Sequence, residues 1–344
     1  MSSAMRKTTT PRTRQLAAAI ALGSCLALAA PGSSAGAAAP ADPVPTVFFG
    51  DSYTSNFGIA PVNNQDSERG WCFQATENYP AVAARSLQGK GITLDVQSDV
   101  SCGGALVHHF WQKQELPFGA GELTEQQDAL KQDTQLVLGS LGGNTVGFAR
   151  ILKQCSTKLR EPSLLPGDPV NPDSPAAECK TFFESGDGKE WLDYKFEQAE
   201  DELDQALQRM SYFSPDAERV LVGYPRLVPQ DTTKCLTAAP GQSELPFADI
   251  SQDALPVLDQ AQKRLNDIMK KVAADNGADF VDLYTKTNSN TACDGADRGI
   301  GGVLEESKLE LLGTQIPWYA HPNEKGRDLQ AQHVAATIET VLNR

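Results

Sequence analysis

A serine follows a short apolar segment near the start of the chain, where residues 46–54 read TVFFGDSYT. The apolar segment predicts a buried strand, and the turn that leaves this strand holds Ser52 at the carboxyl edge of a sheet. Open α/β sheets bind their ligands at that edge, so the hydroxyl is a candidate nucleophile for acyl transfer. Gly50, Asp51 and Ser52 are also common turn residues, and taken alone they predict only a strand-ending turn.

Two familiar arrangements of a catalytic serine do not fit this segment. The nucleophile elbow of α/β-hydrolases has the pattern G-x-S-x-G, and Thr54 stands in place of its second glycine. Chymotrypsin-like proteases have the catalytic histidine early in the chain and the serine late. Here Ser52 comes early, and His321, the best candidate for a general base, comes late.

The chain contains only four histidines, which limits the choice of base. His108 and His109 are adjacent, so their side chains point in different directions, which is poor geometry for a shared metal ion. We expect them to line the site or pack near it, with metal binding as the alternative. His333 lies within the last predicted helix, and we expect it on the helix surface. His321 remains as the base by elimination, and no metal site is predicted.

Three further blocks contain residue types that can stabilise or transfer charge: residues 101–105 read SCGGA, residues 139–144 read GSLGGN, and residues 318–323 read WYAHPN. Together with the GDS segment, and in this order, they resemble the SGNH (GDSL) family of esterases and lipases. The resemblance is strongest to the secreted actinobacterial type with three disulfides. It extends from Gly50 to Gly326, and the order of four blocks is more specific than any single block.

The resemblance implies a fold and a division of roles. The fold would be α/β, a flavodoxin-like three-layer α/β/α sandwich with a five-stranded parallel sheet in the order 2-1-3-4-5. Ser52 would be the nucleophile and His321 the base, while Ser52, Gly104 and Asn144 would donate hydrogen bonds to the oxyanion. Such donors suit the tetrahedral intermediate of ester hydrolysis, in which negative charge develops on the former carbonyl oxygen. No cofactor is expected.

The sequence departs from the family pattern three residues before the histidine. Many relatives have an aspartate there, which would orient the imidazole and stabilise its charged form, whereas this chain has Trp318. We therefore predict a Ser52–His321 dyad in which the main-chain carbonyl oxygen of Trp318 accepts the Nδ1–H bond of His321. A distant carboxylate is the alternative. Asn56 and Thr145 also replace a glycine and an aspartate of many relatives, and asparagine tolerates a left-handed backbone.

The spacing of apolar residues predicts the elements that must hold these groups. Strands are predicted at Thr46–Gly50, Ile92–Val100, Gln135–Ser140, Arg219–Tyr224 and Asp279–Tyr284. Helices are predicted near Glu77–Leu87, Thr145–Leu159, Lys189–Tyr212, Ser251–Asn276 and Glu324–Leu342. This alternation predicts a parallel sheet covered on both faces. We expect one catalytic domain, residues 38–344, with a Pro-, Asp- and Ser-rich loop insertion near 156–188.

The first 37 residues have the layout of a secretory signal peptide. A basic segment ending at Arg14 precedes the apolar run Leu16–Ala30, and residues 35–37 read AGA, an A-x-A cleavage site. The alternatives are a membrane anchor, for which the run is short and rich in alanine, and a lipid anchor on Cys25. We predict an extracellular mature chain without stable membrane insertion.

The predicted mature chain is strongly acidic. The full sequence has a formal net charge of −14, and removing the four basic residues of positions 1–37 brings it to −18. Such a surface repels phosphate backbones, so nucleic acid is excluded as a partner. The expected partner is a small-molecule ester or lipid substrate, and the protein is expected to be a monomer.

Six cysteines remain once Cys25 is set aside. An even number in an exported chain predicts three disulfides, and six cysteines permit 15 pairings. The strand order implied by the resemblance brings the loops after strands 1 and 2 together, and likewise the loops after strands 4 and 5. It favours the pairs Cys72–Cys102, Cys155–Cys179 and Cys235–Cys293.

These observations favour a secreted carboxylic-ester hydrolase, either an esterase or a lipase. The same site would serve a phospholipase or a polysaccharide deacetylase. A secreted binding protein that keeps the fold but has lost turnover is the alternative from a different class. Ser52, Asn144 and His321 supply all the residue types that turnover requires, which favours the enzyme.

Overall fold

The structure of the chain is a computed structural model, and it describes residues 42–65 and 67–344. The predicted signal peptide at residues 1–37, and with it the alternative lipid anchor at Cys25, lies outside the described residues. Within the described part of the chain, no helix is long and apolar enough to cross a membrane.

The strands are, in chain order, β1 (Val44–Gly50), β2 (Leu94–Asp99), β3 (Gln114–Glu115), β4 (Glu122–Leu123), β5 (Leu136–Ser140), β6 (Glu218–Val222), β7 (Asp279–Val281), β8 (Glu306–Leu311) and β9 (Thr314–Pro317). The α-helices are α1 (Ser52–Ser55), α2 (Tyr79–Gln88), α3 (Phe148–Cys155), α4 (Cys179–Ser185), α5 (Asp187–Phe213), α6 (Leu255–Asp275), α7 (Leu283–Lys286) and α8 (Glu324–Leu342).

Five parallel strands form the central sheet in the order β2-β1-β5-β6-β7, while β3–β4 and β8–β9 are two small antiparallel pairs. Counted along the chain, the five strands have the order 2-1-3-4-5, which confirms the predicted fold class. The register pairs Gly50 at the end of β1 with Ser140 at the end of β5. It therefore sets the turn containing Ser52 beside the loop containing Asn144.

Alternating side chains of the strands enter two separate cores. On one face, Val47 and Phe49 of β1 pack in the same cluster as the apolar stripes of α5 and α6. On the other face, Phe48 joins a cluster formed with α2 and α8. Because successive side chains of a strand point to opposite faces, this pattern requires helices on both sides of the sheet. The result is the three-layer arrangement.

The long helices follow the predicted apolar spacing. The buried residues of α5 recur every three or four positions, from Phe196 through Leu203 to Met210. At α8, the side chain of Asn323 accepts a hydrogen bond from the amide of Gly326 and so caps the first turn. The helix directly follows the segment that carries His321, so the cap also fixes where that segment ends.

The structure differs from the prediction where backbone geometry interrupts a pattern. The predicted helix Thr145–Leu159 is shortened to α3, because Gly147 has a φ of +73° directly before it and Ser156 is extended. The predicted insertion near 156–188 is only partly a loop, since it contains α4 and the first residues of α5. The pairs β3–β4 and β8–β9 are short and were not predicted.

Three disulfides link the loops, and they join the pairs that the strand order favours. These are Cys72–Cys102, Cys155–Cys179 and Cys235–Cys293. The first bridge lies beside the glycines of the SCGGA block, where the amide of Gly103 donates to the carbonyl oxygen of Cys72. The second closes the segment between α3 and α4, which forms part of a cavity wall described below.

Candidate active site

The turn that carries Ser52 is fixed by its neighbours. Gly50 has a φ of +144°, and a Cβ there would lie 2.2 Å from Oγ1 of Thr54, so only glycine fits. The side chain of Gln126 accepts from the Gly50 amide (2.8 Å) and donates to the Gly50 carbonyl oxygen (3.0 Å). Asp51 then caps α1 by accepting from the Tyr53 amide at 2.9 Å. Ser52 is thereby the first residue of a short, rigid helix.

Asn56 ends this helix in the left-handed conformation, with a φ of 52°. Its side chain accepts from the Tyr79 amide at 2.6 Å and donates to Oε1 of Gln330 at 2.9 Å. The asparagine that replaces the glycine of many relatives therefore ties α1 to both α2 and α8.

His321 lies within hydrogen-bonding distance of Ser52. Its Nε2 is 2.7 Å from the Ser52 Oγ, while Nδ1 is 2.8 Å from the Trp318 carbonyl oxygen and 3.1 Å from the Tyr319 carbonyl oxygen. Two carbonyl oxygens can only accept, so Nδ1 carries the proton and Nε2 is free to accept the proton of Ser52. Among the described residues, no carboxylate hydrogen-bonds to His321.

The main chain before His321 is held in an unusual conformation. Tyr319 and Ala320 have φ values of 49° and 61°, and this tight bend directs two carbonyl oxygens at one ring nitrogen. The Trp318 side chain is 3% exposed and packs against Gly58 and Gly301. A Cβ would lie 2.5 Å from the indole at Gly58 and 2.2 Å from it at Gly301, so neither position has room for a side chain.

Burial changes the proton affinity of two ionisable groups next to the serine, His321 and Asp51. It lowers the pKa of His321 to about 4, although the two carbonyl oxygens act in the opposite direction. It raises the pKa of Asp51 to about 7, against the hydrogen bonds from Tyr224 and the Tyr53 amide. The imidazole is therefore neutral in the resting site at neutral pH, as a base must be.

Gly104 and Asn144 lie on the same cavity as Ser52 and His321. Gly104 has a φ of +75°, a conformation that glycine adopts without strain. Asn144 donates one Nδ2 hydrogen to the Ala105 carbonyl oxygen at 3.0 Å, which fixes the orientation of the amide. The second Nδ2 hydrogen is left for a ligand.

The cavity has a volume of about 500 Å³ and mainly apolar walls. Several lining residues are aromatic, and the exposed Phe118 packs against Trp71 with the ring centroids 5.6 Å apart and the ring planes tilted by 53°. The lining also contains Leu152, Leu227 and Leu265 together with residues 163–166 of the insertion. Lys153 holds that segment by donating to the carbonyl oxygens of Leu165 and Gly167.

The other histidines do not lie on this cavity. The Nδ1 of His109 accepts from the Leu106 amide at 3.0 Å, and the residue lines a separate cavity of about 220 Å³. His108 lies 3.5 Å from a carboxylate oxygen of Glu202. His333 is part of α8 and is partly exposed. The described residues contain no group of three or more metal-ligating side chains.

The sequence analysis missed three residues close to the site. It treated Asp51 only as a turn residue, and it assigned no role to Gln126 or Tyr224. The Tyr224 hydroxyl lies 2.5 Å from Oδ2 of Asp51. Tyr224 stands at the carboxyl end of a predicted strand, so the rule that sheets bind ligands at that edge is the signal that would have found it. No comparable signal marks Gln126.

Comparisons with known proteins are consistent across sequence and structure. The pattern of the GDSL-like Lipase/Acylhydrolase family matches residues 48–329. An esterase of Streptomyces scabiei is 78% identical over 346 residues, covering 100% of both chains. Lipase 2 of Streptomyces coelicolor is 30% identical, covering 86% of this chain and 87% of that protein. The crystal structure of phospholipase A1 from Streptomyces albidoflavus NA297 superposes with a TM-score of 0.59 at 20% identity, covering 87% and 99% of the two chains.

Proposed function

Because the chain belongs to the GDSL-like lipase/acylhydrolase family and is an esterase/lipase-type hydrolase, we propose that it cleaves carboxylic esters with a Ser52–His321 dyad. The observation that carries this proposal is the contact of 2.7 Å between the Ser52 Oγ and the His321 Nε2, with Nδ1 directed at two carbonyl oxygens. This geometry gives the serine a base with the correct tautomer.

In the first half of the proposed reaction, the Ser52 Oγ attacks the ester carbonyl carbon while His321 takes the hydroxyl proton on Nε2. The Ser52 amide, the Gly104 amide and the Asn144 side chain donate to the oxyanion of the tetrahedral intermediate. As this intermediate collapses, the bond to the leaving oxygen breaks and His321 gives its proton to the departing alcohol. An acyl group then remains on Ser52.

In the second half, water attacks the acyl carbon and His321 takes one proton from the water. The second tetrahedral intermediate uses the same donors, and its collapse breaks the bond to the Ser52 Oγ. His321 returns the proton to Ser52, the carboxylic acid is released, and the site is restored. During both halves the imidazolium donates Nδ1–H to the Trp318 and Tyr319 carbonyl oxygens, whose dipoles supply the support that a carboxylate provides in a triad.

The substrate class follows from the walls of the cavity. The lining is mainly apolar, with leucine and aromatic side chains, which suits an apolar acyl group in a pocket of this size. An esterase or lipase activity is therefore favoured over deacetylation of a polysaccharide. A phospholipase activity uses the same acyl site and stays the second candidate.

We propose extracellular action for this enzyme. Residues 1–37 have the signal-peptide layout, and three disulfides join loops around the sheet. Disulfides persist in oxidising compartments, which supports export.

The proposed function can be tested by combining active-site labelling with an ester series. A fluorophosphonate should form a covalent bond to the Ser52 Oγ with loss of fluoride, and mass spectrometry of the tryptic peptides should locate the adduct there. Nitrophenyl esters from acetyl to palmitoyl should be hydrolysed, with an optimum longer than acetyl. A strict acetyl preference would support a deacetylase instead. Absence of both labelling and turnover would support a binding protein.

The pH dependence offers a second test. Since burial lowers the pKa of His321 to about 4, the base stays neutral far below the usual histidine pKa. We expect kcat/KM to keep its neutral-pH value down to about pH 5 and to reach half of it near pH 4. Circular dichroism at each pH, and recovery of activity on return to pH 7, control for unfolding.

A midpoint near pH 6.5 would contradict this assignment, because it would indicate a solvated base. Asp51 also titrates in the accessible range, since burial raises its pKa to about 7. If kcat/KM also changes near pH 7, and this change disappears in Asp51→Asn, the change belongs to Asp51. The midpoint near pH 4 is then still assigned to His321.

A further inference from the structure

One buried hydroxyl connects two of the loops on which the proposed chemistry depends, the Ser52 turn and the Asn144 loop. The Tyr224 Oη donates to Oδ2 of Asp51 at 2.5 Å and accepts from the Gly143 amide at 2.8 Å. Asp51 directly precedes Ser52, and Gly143 directly precedes Asn144. The tyrosine is 3% exposed and follows the end of β6, the strand next to β5. Its position is therefore set by the sheet.

The direction of these bonds leaves Tyr224 no hydrogen for a substrate. A peptide N–H only donates, so the Gly143 amide must give its hydrogen to the Tyr224 oxygen. The single hydroxyl hydrogen of Tyr224 goes to the ionised carboxylate of Asp51, which can only accept. Although the ring lines the cavity, its polar group is committed to the two loops and acts on the reaction through them.

The packing around the ring is close on both sides. A Cβ at Gly143 would lie 3.3 Å from three atoms of the Tyr224 ring and hydroxyl, so the glycine permits the loop to approach this tyrosine. The Tyr224 ring also meets the Tyr53 ring edge to face at 4.9 Å. Tyr53 in turn stacks near His321 at 4.7 Å and donates to the Ala320 carbonyl oxygen at 2.8 Å.

We propose that Tyr224 is a positioning residue that sets the distance between the nucleophile turn and the Asn144 amide. This inference rests on the proposed function. The tetrahedral intermediate requires donors already in place at the oxyanion, and a loop shift of about 1 Å weakens their hydrogen bonds. Tyr224 should therefore matter for the transition state and little for binding of the ground-state ester.

The test is Tyr224→Phe, which keeps the ring and removes only the hydroxyl. We expect kcat to fall by about 10- to 100-fold, the effect of losing one hydrogen bond to a charged group, with KM within about twofold. Affinity for an alkylboronic acid, which forms a tetrahedral adduct on Ser52, should fall by the same factor as kcat/KM. Tyr284→Phe is the matched control, because its hydroxyl also donates to a carboxylate, Asp259, at 2.8 Å, and the residue does not line the cavity.

A kcat within threefold of the unmodified enzyme would overturn the proposal, and so would a raised KM at unchanged kcat, which indicates contact with the substrate. If Tyr224→Phe does not fold, Gly143→Ala provides the second variant, since its Cβ pushes the loop away from the intact tyrosine. It should also lower kcat while leaving KM nearly unchanged. Ser52→Ala, measured in parallel, separates a failure of this inference from a failure of the proposed function. Turnover by Ser52→Ala above about 1% of the unmodified enzyme would refute the dyad itself.

Discussion

Ser52→Ala is expected to lower kcat for a nitrophenyl ester on the order of 10⁶-fold, because alanine lacks the oxygen that attacks the ester carbonyl carbon in the first half of the proposed reaction. A residual rate above that of water is expected, since the oxyanion donors and the cavity remain in place. The free energy of unfolding should change little, because the hydroxyl lies at the cavity and not in the core.

The matched control is Ser55→Ala in the same short helix. Ser55 is fully buried, and within the described residues its hydroxyl has no hydrogen-bond partner. The same chemical change there removes an unsatisfied polar group, so activity should be kept and stability should be equal or higher. Turnover by Ser52→Ala above about 1% of the unmodified enzyme, in a preparation free of wild type, would place the nucleophile elsewhere.

Asn144→Ala is expected to lower kcat by about 10²- to 10³-fold with a small change in KM. The side-chain amide lines the cavity and is oriented by its bond to the Ala105 carbonyl oxygen, and in the proposed reaction its second N–H donates to the oxyanion. The alanine variant lacks this donor in the transition state, when the charge on the oxygen is largest. Single-turnover kinetics on the ester series would separate acylation from deacylation, and both steps should slow.

Asn144→Asp is a useful second variant because the aspartate side chain has the same shape as asparagine. A carboxylate accepts and does not donate, and its charge repels the oxyanion, so the loss should equal or exceed that of alanine. A raised KM with intact kcat in either variant would mean that Asn144 binds the ground-state ester, which would contradict its role in the oxyanion hole.

The sequence predicted the fold well where apolar residues recur at a regular spacing along one element. The α5 helix was predicted within two residues at each end, because a long amphipathic stripe repeats the same signal over seven turns. The order of four short blocks identified the family and, with it, the strand order. The short β8–β9 pair has no such repetition, and its strands lie outside the central sheet.

The site was predictable only in part. Ser52 and His321 could be proposed because the order of four blocks resembles the SGNH family, and because the four histidines of the chain left few alternatives for a base. The contact between Asp51 and Tyr224 joins residues 173 positions apart, and no local pattern encodes it. The sequence also does not predict the left-handed backbone of Tyr319 and Ala320, since neither residue type favours that region.

In the proposed dyad, the main-chain oxygen of Trp318 is the third partner after Ser52 and His321, and it is an atom that every amino acid possesses. Because the Trp318 oxygen belongs to the main chain, no codon change at position 318 can delete it; substitution can only shift it by disturbing the indole between Gly58 and Gly301. A genetic screen for lost activity would recover the serine, the histidine and these two glycines. The Trp318 oxygen itself would not be identified by such a screen, because no substitution removes it. Selection can maintain it only through the packing that holds its peptide in place.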